Sequence, residues 1–307
     1  MTILLDPRMV TPKHADALRA AFPQIDFSTD PETATDVAAI FCHPAFANAA
    51  RLDRYASLTW VQILMAGFDA ADLEYLRRRG IAVTNLKDVF CISIAEDVFA
   101  KILYFNRGIR HDLQAMGDHR WEPIRHHPEI HGSTVGIIGA GSIGSAIATR
   151  MRAFGARVIG YRRKNANDGD FDAIVTGKDG LDALLSASDY VIASLPLNAQ
   201  TAGLIGKAEF ARMKPEALFV NVGRGETVDQ KALVAALVEG RIRGAGLDVT
   251  APEPLPPDDP LWTAPNVFIT PHNASSSPFI WPRIVAVLHE NIRRRLAGEP
   301  LLHVVEE

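Results

Sequence analysis

The stretch Thr134-Val135-Gly136-Ile137-Ile138-Gly139-Ala140-Gly141-Ser142-Ile143-Gly144 limits this chain more than any other. An apolar run rich in β-branched residues stops at Gly139, and an apolar pattern of helical period begins near Ser142 and continues to Met151. A buried strand therefore turns directly into a helix. Glycines spaced G-x-G-x-x-G at such a junction have separate duties. Gly139 allows the tight turn, Gly141 lets the backbone approach a pyrophosphate, and Gly144 lets the helix pack closely on the strand. Phosphates would sit on the free N–H groups around Ser142, Ile143 and Gly144, at the positive end of the helix. A serine nucleophile elbow at Ser142 is excluded, because it needs a glycine two residues earlier and Ala140 stands there.

The rest of the chain supplies the sheet that such a turn requires. Short apolar strands are expected at 2–6, 38–42, 58–64 and 81–85, with helical patterns at 13–22 and 71–79. Beyond the glycine turn, strands are expected at 157–161, 190–195, 217–222, 245–249 and 267–270. Helical patterns at 181–185, 207–213 and 230–238 separate most of them, and a final amphipathic helix is expected at 279–296. Strands alternating with helices mean parallel sheets, so the fold class is α/β, doubly wound. One long helix is expected over 92–116. It leads into a polar, aperiodic segment, 117–131, which reads as a connecting arm able to pack on a second subunit. Five of the ten histidines fall between His111 and His131, but none pairs with an acidic residue at metal-ligand spacing on a helix, so no metal is expected.

A length of 307 residues exceeds what one core usually supports, so two domains are expected. The net charge of −4 leaves no footprint for nucleic acid or an anionic membrane surface. No basic leader precedes Asp6 and no run of about 18 apolar residues occurs, so neither a signal peptide nor a membrane span is expected. With only Cys42 and Cys91, a disulfide framework is excluded and a reducing cytoplasm is the expected compartment.

Ligands of doubly wound sheets gather outside the carboxyl ends of the strands. The polar punctuation falls there: Leu195-Pro196-Leu197-Asn198, Val222-Gly223-Arg224-Gly225, Asp248 and Pro271-His272-Asn273. Arg224, between two glycines, has the planar fork that suits a carboxylate. His272 is a candidate acid–base group, and Glu253 lies in a proline-rich loop stiff enough to fix a carboxylate beside an imidazole. The turn Met65-Ala66-Gly67-Phe68-Asp69 could hold a carboxylate on exposed backbone N–H groups, or be a plain loop.

Taken together, Gly139 to Gly144, Asn221-Val222-Gly223-Arg224-Gly225, Gly246-Leu247-Asp248-Val249 with Glu253-Pro254, and Thr270-Pro271-His272 resemble the D-isomer-specific 2-hydroxyacid dehydrogenase family in order and spacing. The Val-Gly-Arg-Gly form is similar to its glyoxylate/hydroxypyruvate reductase branch. The resemblance implies two Rossmann-like domains with an active-site cleft between them: residues 1–93 plus 276–307 for the substrate and 94–275 for the dinucleotide. It implies that Arg224 binds the carboxylate and carbonyl oxygen of a small 2-oxo acid, with N–H groups near Ala66 and Gly67 holding the carboxylate from the other domain. His272 would donate the proton as hydride arrives, Glu253 would favour its imidazolium, and Asp248 would face the nicotinamide. Leu195, Pro196 and Val222 would line the cofactor. Trp60, Leu64, Phe68 and Trp281 are candidates for the substrate pocket. A homodimer is expected through the helix after Ile92 and the arm around Trp121.

Two positions depart from the family pattern. Asp97 stands where many relatives have a histidine, a change expected to be neutral for catalysis. Arg162-Arg163-Lys164 stand where an enzyme preferring NAD would carry an acid for the ribose hydroxyl, so NADP(H) is the expected cofactor, with NAD(H) possible. A protein of this fold could instead be a dinucleotide-sensing partner of other proteins, without turnover.

Overall fold

A computed structural model describes residues 1–163 and 169–305. Lys164, part of the basic turn read from the sequence, lies outside the described residues. The chain opens with β1 (Thr2–Leu5), α1 (Pro12–Ala21), β2 (Asp26–Ser28), β3 (Val37–Cys42), α2 (Ala49–Leu52), β4 (Trp60–Ile63), α3 (Leu73–Arg78) and β5 (Ala82–Thr84). It continues with α4 (Cys91–Asn106), α5 (Ile109–Gly117), β6 (Thr134–Ile138), α6 (Ser142–Ala153), β7 (Arg157–Tyr161), β8 (Ala173–Val175), α7 (Gly177–Ala187) and β9 (Tyr190–Ala193). Then come α8 (Lys207–Arg212), β10 (Leu218–Asn221), α9 (Gln230–Val238), β11 (Gly244–Leu247), β12 (Val267–Ile269) and α10 (Ile280–Ala297).

The chain divides into two compact units, Met1–Phe90 with Ser277–Glu307, and Cys91–Ser276. In the first, the strand order is β2-β1-β3-β4-β5, and in the second β12-β11-β10-β9-β6-β7-β8. Every pairing within both sheets is parallel. Both orders are doubly wound, the first of flavodoxin type and the second of Rossmann type. In the second sheet the order reverses between β6 and β9, and the carboxyl ends of these two strands form the crevice where such sheets hold ligands.

Side chains alternate along the strands of the first unit and fill two layers. Ile3, Leu5, Phe41 and Trp60 pack with Leu288 and Ile292 of α10, whereas Leu4, Ile40, Val61 and Ile63 pack with Leu52 and Leu76. In the second unit, Ile138, Val191, Phe219 and Ala245 pack with Leu184, Phe210 and Leu233. Among the described residues no helix is long and apolar enough to cross a membrane.

Several local expectations are corrected. The long helix is two helices, broken at Gly108, whose φ of +65° favours glycine. A Cβ there would also lie 2.4 Å from Ile124 Cδ1. Two further strands, β2 and β8, stand where no strand was expected. Trp60 is no pocket residue: it is fully buried in the sheet and its indole donates to Thr84 Oγ1 at 2.8 Å. Leu64 is buried as well, and Trp281 stacks on His14 with ring centroids 3.8 Å apart.

Candidate active site

The glycine turn between β6 and α6 is held by packing at two of its three positions. Gly139 has φ +111°, and its N–H and that of Ala140 both donate to the Tyr161 carbonyl at 3.0 Å. A Cβ on Gly139 would fall 2.8 Å from the Ser194 backbone, and one on Gly144 would fall 2.3 Å from the Gly139 carbonyl oxygen. Gly141 differs, because a Cβ there would meet nothing within 4 Å. Gly141 is also the N-cap of α6, no side chain caps that helix, and its first turn carries no acidic residue. An open backbone at an uncapped helix N-terminus fits the pyrophosphate of a dinucleotide. Ser142 and Ile143 begin α6. Arg162 directly follows β7 and reaches back to the turn, its Nη1 lying 3.4 Å from the Ala140 carbonyl, while Arg163 is exposed. Leu195 and Pro196 follow β9, and Val222 follows β10 with its N–H on the Ala193 carbonyl at 3.0 Å.

Further along the same carboxyl edge, the loops after β11 and β12 bring two titratable groups together. His272 Nδ1 lies 2.7 Å from Glu253 Oε2, and the two side chains are 43% and 37% exposed. Glu253 Oε1 accepts from the Thr250 N–H at 3.1 Å, which fixes the carboxylate on its own loop. That loop is braced in turn by Gln230, whose Oε1 accepts from the Ala251 N–H at 3.0 Å. Arg224 sits in the turn after β10, its Nη1 donating to the Gly223 carbonyl at 2.8 Å and its own carbonyl accepting from Asn221 Nδ2 at 3.0 Å. A Cβ on Gly225 would fall 2.0 Å from the Thr250 carbonyl oxygen, so the turn carrying Arg224 lies directly against the loop carrying Glu253. Arg224, Glu253 and His272 thus stand on adjoining loops.

Asp248, expected to face a nicotinamide, turns its carboxylate to the His272 loop. Buried to 3% exposure, it accepts from Thr270 Oγ1 at 2.6 Å and from the N–H groups of Asn273 and Ala274 at 3.0 Å each. Its carbonyl receives the His272 N–H at 2.8 Å. These bonds hold His272 at φ +50°, a conformation that is costly away from glycine and persists only where its surroundings impose it.

Ala66 and Gly67 belong to the first unit, in the turn after β4. Asn85 Nδ2 braces that turn through the Ala66 carbonyl at 2.7 Å. Among the described residues no acceptor meets the N–H groups of Ala66 and Gly67. The histidine-rich segment is spread out, with His127 Nδ1 at 3.0 Å from the Asn106 carbonyl and His111 beside Asp112 and Glu122. Among the described residues no group of three metal-ligating side chains forms.

Sequence reasoning gave no role to Thr250, Gln230, Thr270 and Lys101; the last three act through partners distant in sequence, and Thr250 through Glu253 three residues on. For Lys101 there was a signal: it lies seven residues after Ile94 and three after Val98, on the apolar stripe of α4.

The model of the D-isomer specific 2-hydroxyacid dehydrogenase NAD binding domain matches residues 99–274. The glyoxylate reductase of Korarchaeum cryptofilum (strain OPF8) is 38% identical over 239 residues, which is 76% of this chain and 71% of that protein. Glyoxylate/hydroxypyruvate reductase B of Klebsiella pneumoniae (strain 342) is 35% identical over 82% of this chain and 79% of its own length. Among solved structures, the NADPH-dependent glyoxylate/hydroxypyruvate reductase of Sinorhizobium meliloti, in complex with NADP and sulfate, superposes with a TM-score of 0.81. It is 28% identical and covers 99% of this chain and 98% of its own. With its glycine turn, its doubly wound sheets and these relatives, the chain belongs to the D-isomer specific 2-hydroxyacid dehydrogenase family of oxidoreductases, in the glyoxylate/hydroxypyruvate reductase branch.

Proposed function

We propose that this protein reduces a small 2-oxo acid, glyoxylate or hydroxypyruvate, to the D-2-hydroxy acid with NADPH in preference to NADH. The observation that carries the reading is the His272–Glu253 pair at the carboxyl edge of the sheet that bears the glycine turn. Gly139, Gly141, Ser142, Ile143 and Gly144 would hold the pyrophosphate on backbone N–H groups, with Leu195, Pro196 and Val222 along the nicotinamide half. The reduced nicotinamide supplies a hydride when bound. Arg224 binds the substrate carboxylate and carbonyl oxygen, and the N–H groups of Ala66 and Gly67 take the carboxylate as well. Glu253 keeps a proton on Nδ1 of His272, so Nε2 is the nitrogen that hands its proton to the carbonyl oxygen as the alcohol forms. Arg162, positively charged and beside the turn, pairs with the 2′-phosphate of NADPH, where an acid would repel it.

Two copies form a homodimer through α4, α5 and the arm, because these carry exposed apolar side chains: Ile92 and Leu103 on α4, Leu113 and Met116 on α5, and Trp121 in the arm, the last 98% exposed. Cys42 and Cys91 are buried and neither is in a disulfide, which suits the cytoplasm. The testing experiment is turnover of glyoxylate by the parent, by His272→Ala and by Arg162→Asp, with each cofactor. His272→Ala should lose about 10²–10⁴-fold in kcat. Arg162→Asp should raise KM for NADPH far more than for NADH. Near-parental turnover by His272→Ala sinks the reading, and equal or better use of NADH by the parent sinks the cofactor preference.

A further inference from the structure

Behind the His272 loop lies a charged pair for which the reaction just described has no use. Lys101 on α4 is fully buried. Its stem passes over Gly246 of β11, where a Cβ would meet Lys101 Cβ at 3.0 Å, so the glycine makes the lane in which the lysine lies. Its ammonium contacts Asp97 one helical turn earlier and donates to Thr270 Oγ1 at 2.8 Å, with the Phe268 ring centroid 5.8 Å away. The Thr270 hydroxyl has one proton. Because Lys101 can only donate, that hydroxyl accepts from Lys101 and gives its proton to Asp248 Oδ1 at 2.6 Å. Asp248 in turn gathers the N–H groups of Asn273 and Ala274, the two residues after His272.

We propose that the Asp97–Lys101 pair is a positioning device that acts through Thr270 and Asp248 to hold His272 where it can deliver its proton. Buried opposite charges are weak evidence for stability, since desolvation consumes what attraction returns. Asp97 illustrates this: burial raises its carboxyl above the usual carboxylate range, Lys101 pulls it back, and the nearby Asp248 raises it again. The pair therefore contributes little to the fold while fixing the direction of every hydrogen bond in the chain that ends at the His272 loop. Asp97 was expected to be neutral for catalysis; this arrangement gives it a role.

The proposal rests on the reading of His272 as proton donor. Its test is the double variant Asp97→Asn/Lys101→Met, which removes both charges and leaves neither stranded, compared with the parent in thermal midpoint, Kd for NADPH and kcat with glyoxylate. The expected result is a midpoint within a few degrees of the parent or above it, a Kd within about twofold, and a kcat about tenfold lower, since small misplacements of a reacting group are costly. Adding Thr270→Val should cost no more than about a further twofold, because the variants interrupt one series. A parental kcat, a double variant that fails to fold, or a loss that multiplies in full with that of Thr270→Val each overturns the proposal. If His272→Ala is inactive while the double variant turns over like the parent, only the positioning role falls; if His272→Ala stays active, the underlying reading falls first.

Discussion

In each unit the first strand of the sheet leads through a turn into a helix, and the two turns are opposite in chemistry. In the second unit the turn from β6 to α6 is Gly139 to Gly144, with bare backbone at Gly141 and no acid near the helix start. In the first unit the turn from β1 to α1 begins Asp6-Pro7-Arg8, and an anion is built in. The Asp6 carboxylate, buried to 3% exposure with its residue, takes two bonds from the Arg8 guanidinium at 2.9 and 2.7 Å and one from the Arg8 N–H at 3.1 Å. The His43 N–H points to it at 3.4 Å. The N–H groups of Arg8, Met9 and Val10 are all taken by Asp6, α1 starts with a proline that has none, and the buried negative charge repels a second anion. Two sheets of related winding thus differ in one turn, which in the second unit leaves backbone open and in the first is filled by its own anion.

The largest effect that bears on this contrast is expected at Gly144. Gly144→Ala drives a methyl into the Gly139 carbonyl oxygen at 2.3 Å, where backbone cannot yield cheaply. It should cost about 1–3 kcal/mol of stability through overpacking and weaken NADPH binding as well, read by thermal melting and fluorescence titration. Gly141→Ala sharpens the contrast, since its methyl enters open space and its extended φ of −102° suits alanine. It should melt like the parent yet bind NADPH about tenfold more weakly, about 1.4 kcal/mol. Parental affinity in Gly141→Ala would show that the open space is not a ligand's, and the difference between the two turns would lose its functional meaning.

What was legible beforehand follows the range of the interactions involved. The glycine turn could be read because its requirement is local: strand before, helix after, three glycines between. The alternation of strands and helices could be read for the same reason, and it led to two parallel sheets. Arg224, Glu253 and His272 stood out because each follows a strand end, although nothing in the spacing could have placed Glu253 Oε2 at 2.7 Å from the imidazole. Supports made over long sequence separations stayed hidden. Thr270 reaches Asp248 across 22 residues and Lys101 across 169; the place of Lys101 on the apolar stripe of α4 marks it as buried but names neither partner. The reading of Asp248 as a residue facing the cofactor missed its loop-tying bonds for that reason. Trp60 was misread because an aromatic in a short apolar strand looks the same from sequence whether it lines a pocket or closes a core.

The smallest expected effect tests the filled turn. Burial alone would raise the Asp6 carboxyl, but the side-chain bonds from Arg8 and the backbone bonds from Arg8 and His43 outweigh it, so Asp6 sits below the usual carboxylate range. A carboxyl lowered in the folded state contributes stability that is fully present above its unfolded value, about pH 4, and is lost as pH falls through the folded value. Asp6→Asn removes that contribution at every pH. The variant should therefore melt lower than the parent near pH 7, by an amount equivalent to about 1 kcal/mol given that the Arg8 guanidinium is largely solvent-exposed. The gap should narrow on acidification below about pH 4, because the parent is then losing what the variant never had. Melting curves from pH 7 to pH 2 decide the matter. Parallel curves with a constant gap would mean that the side chain matters only for its shape, and the anion built into the first turn would no longer account for the difference between the units.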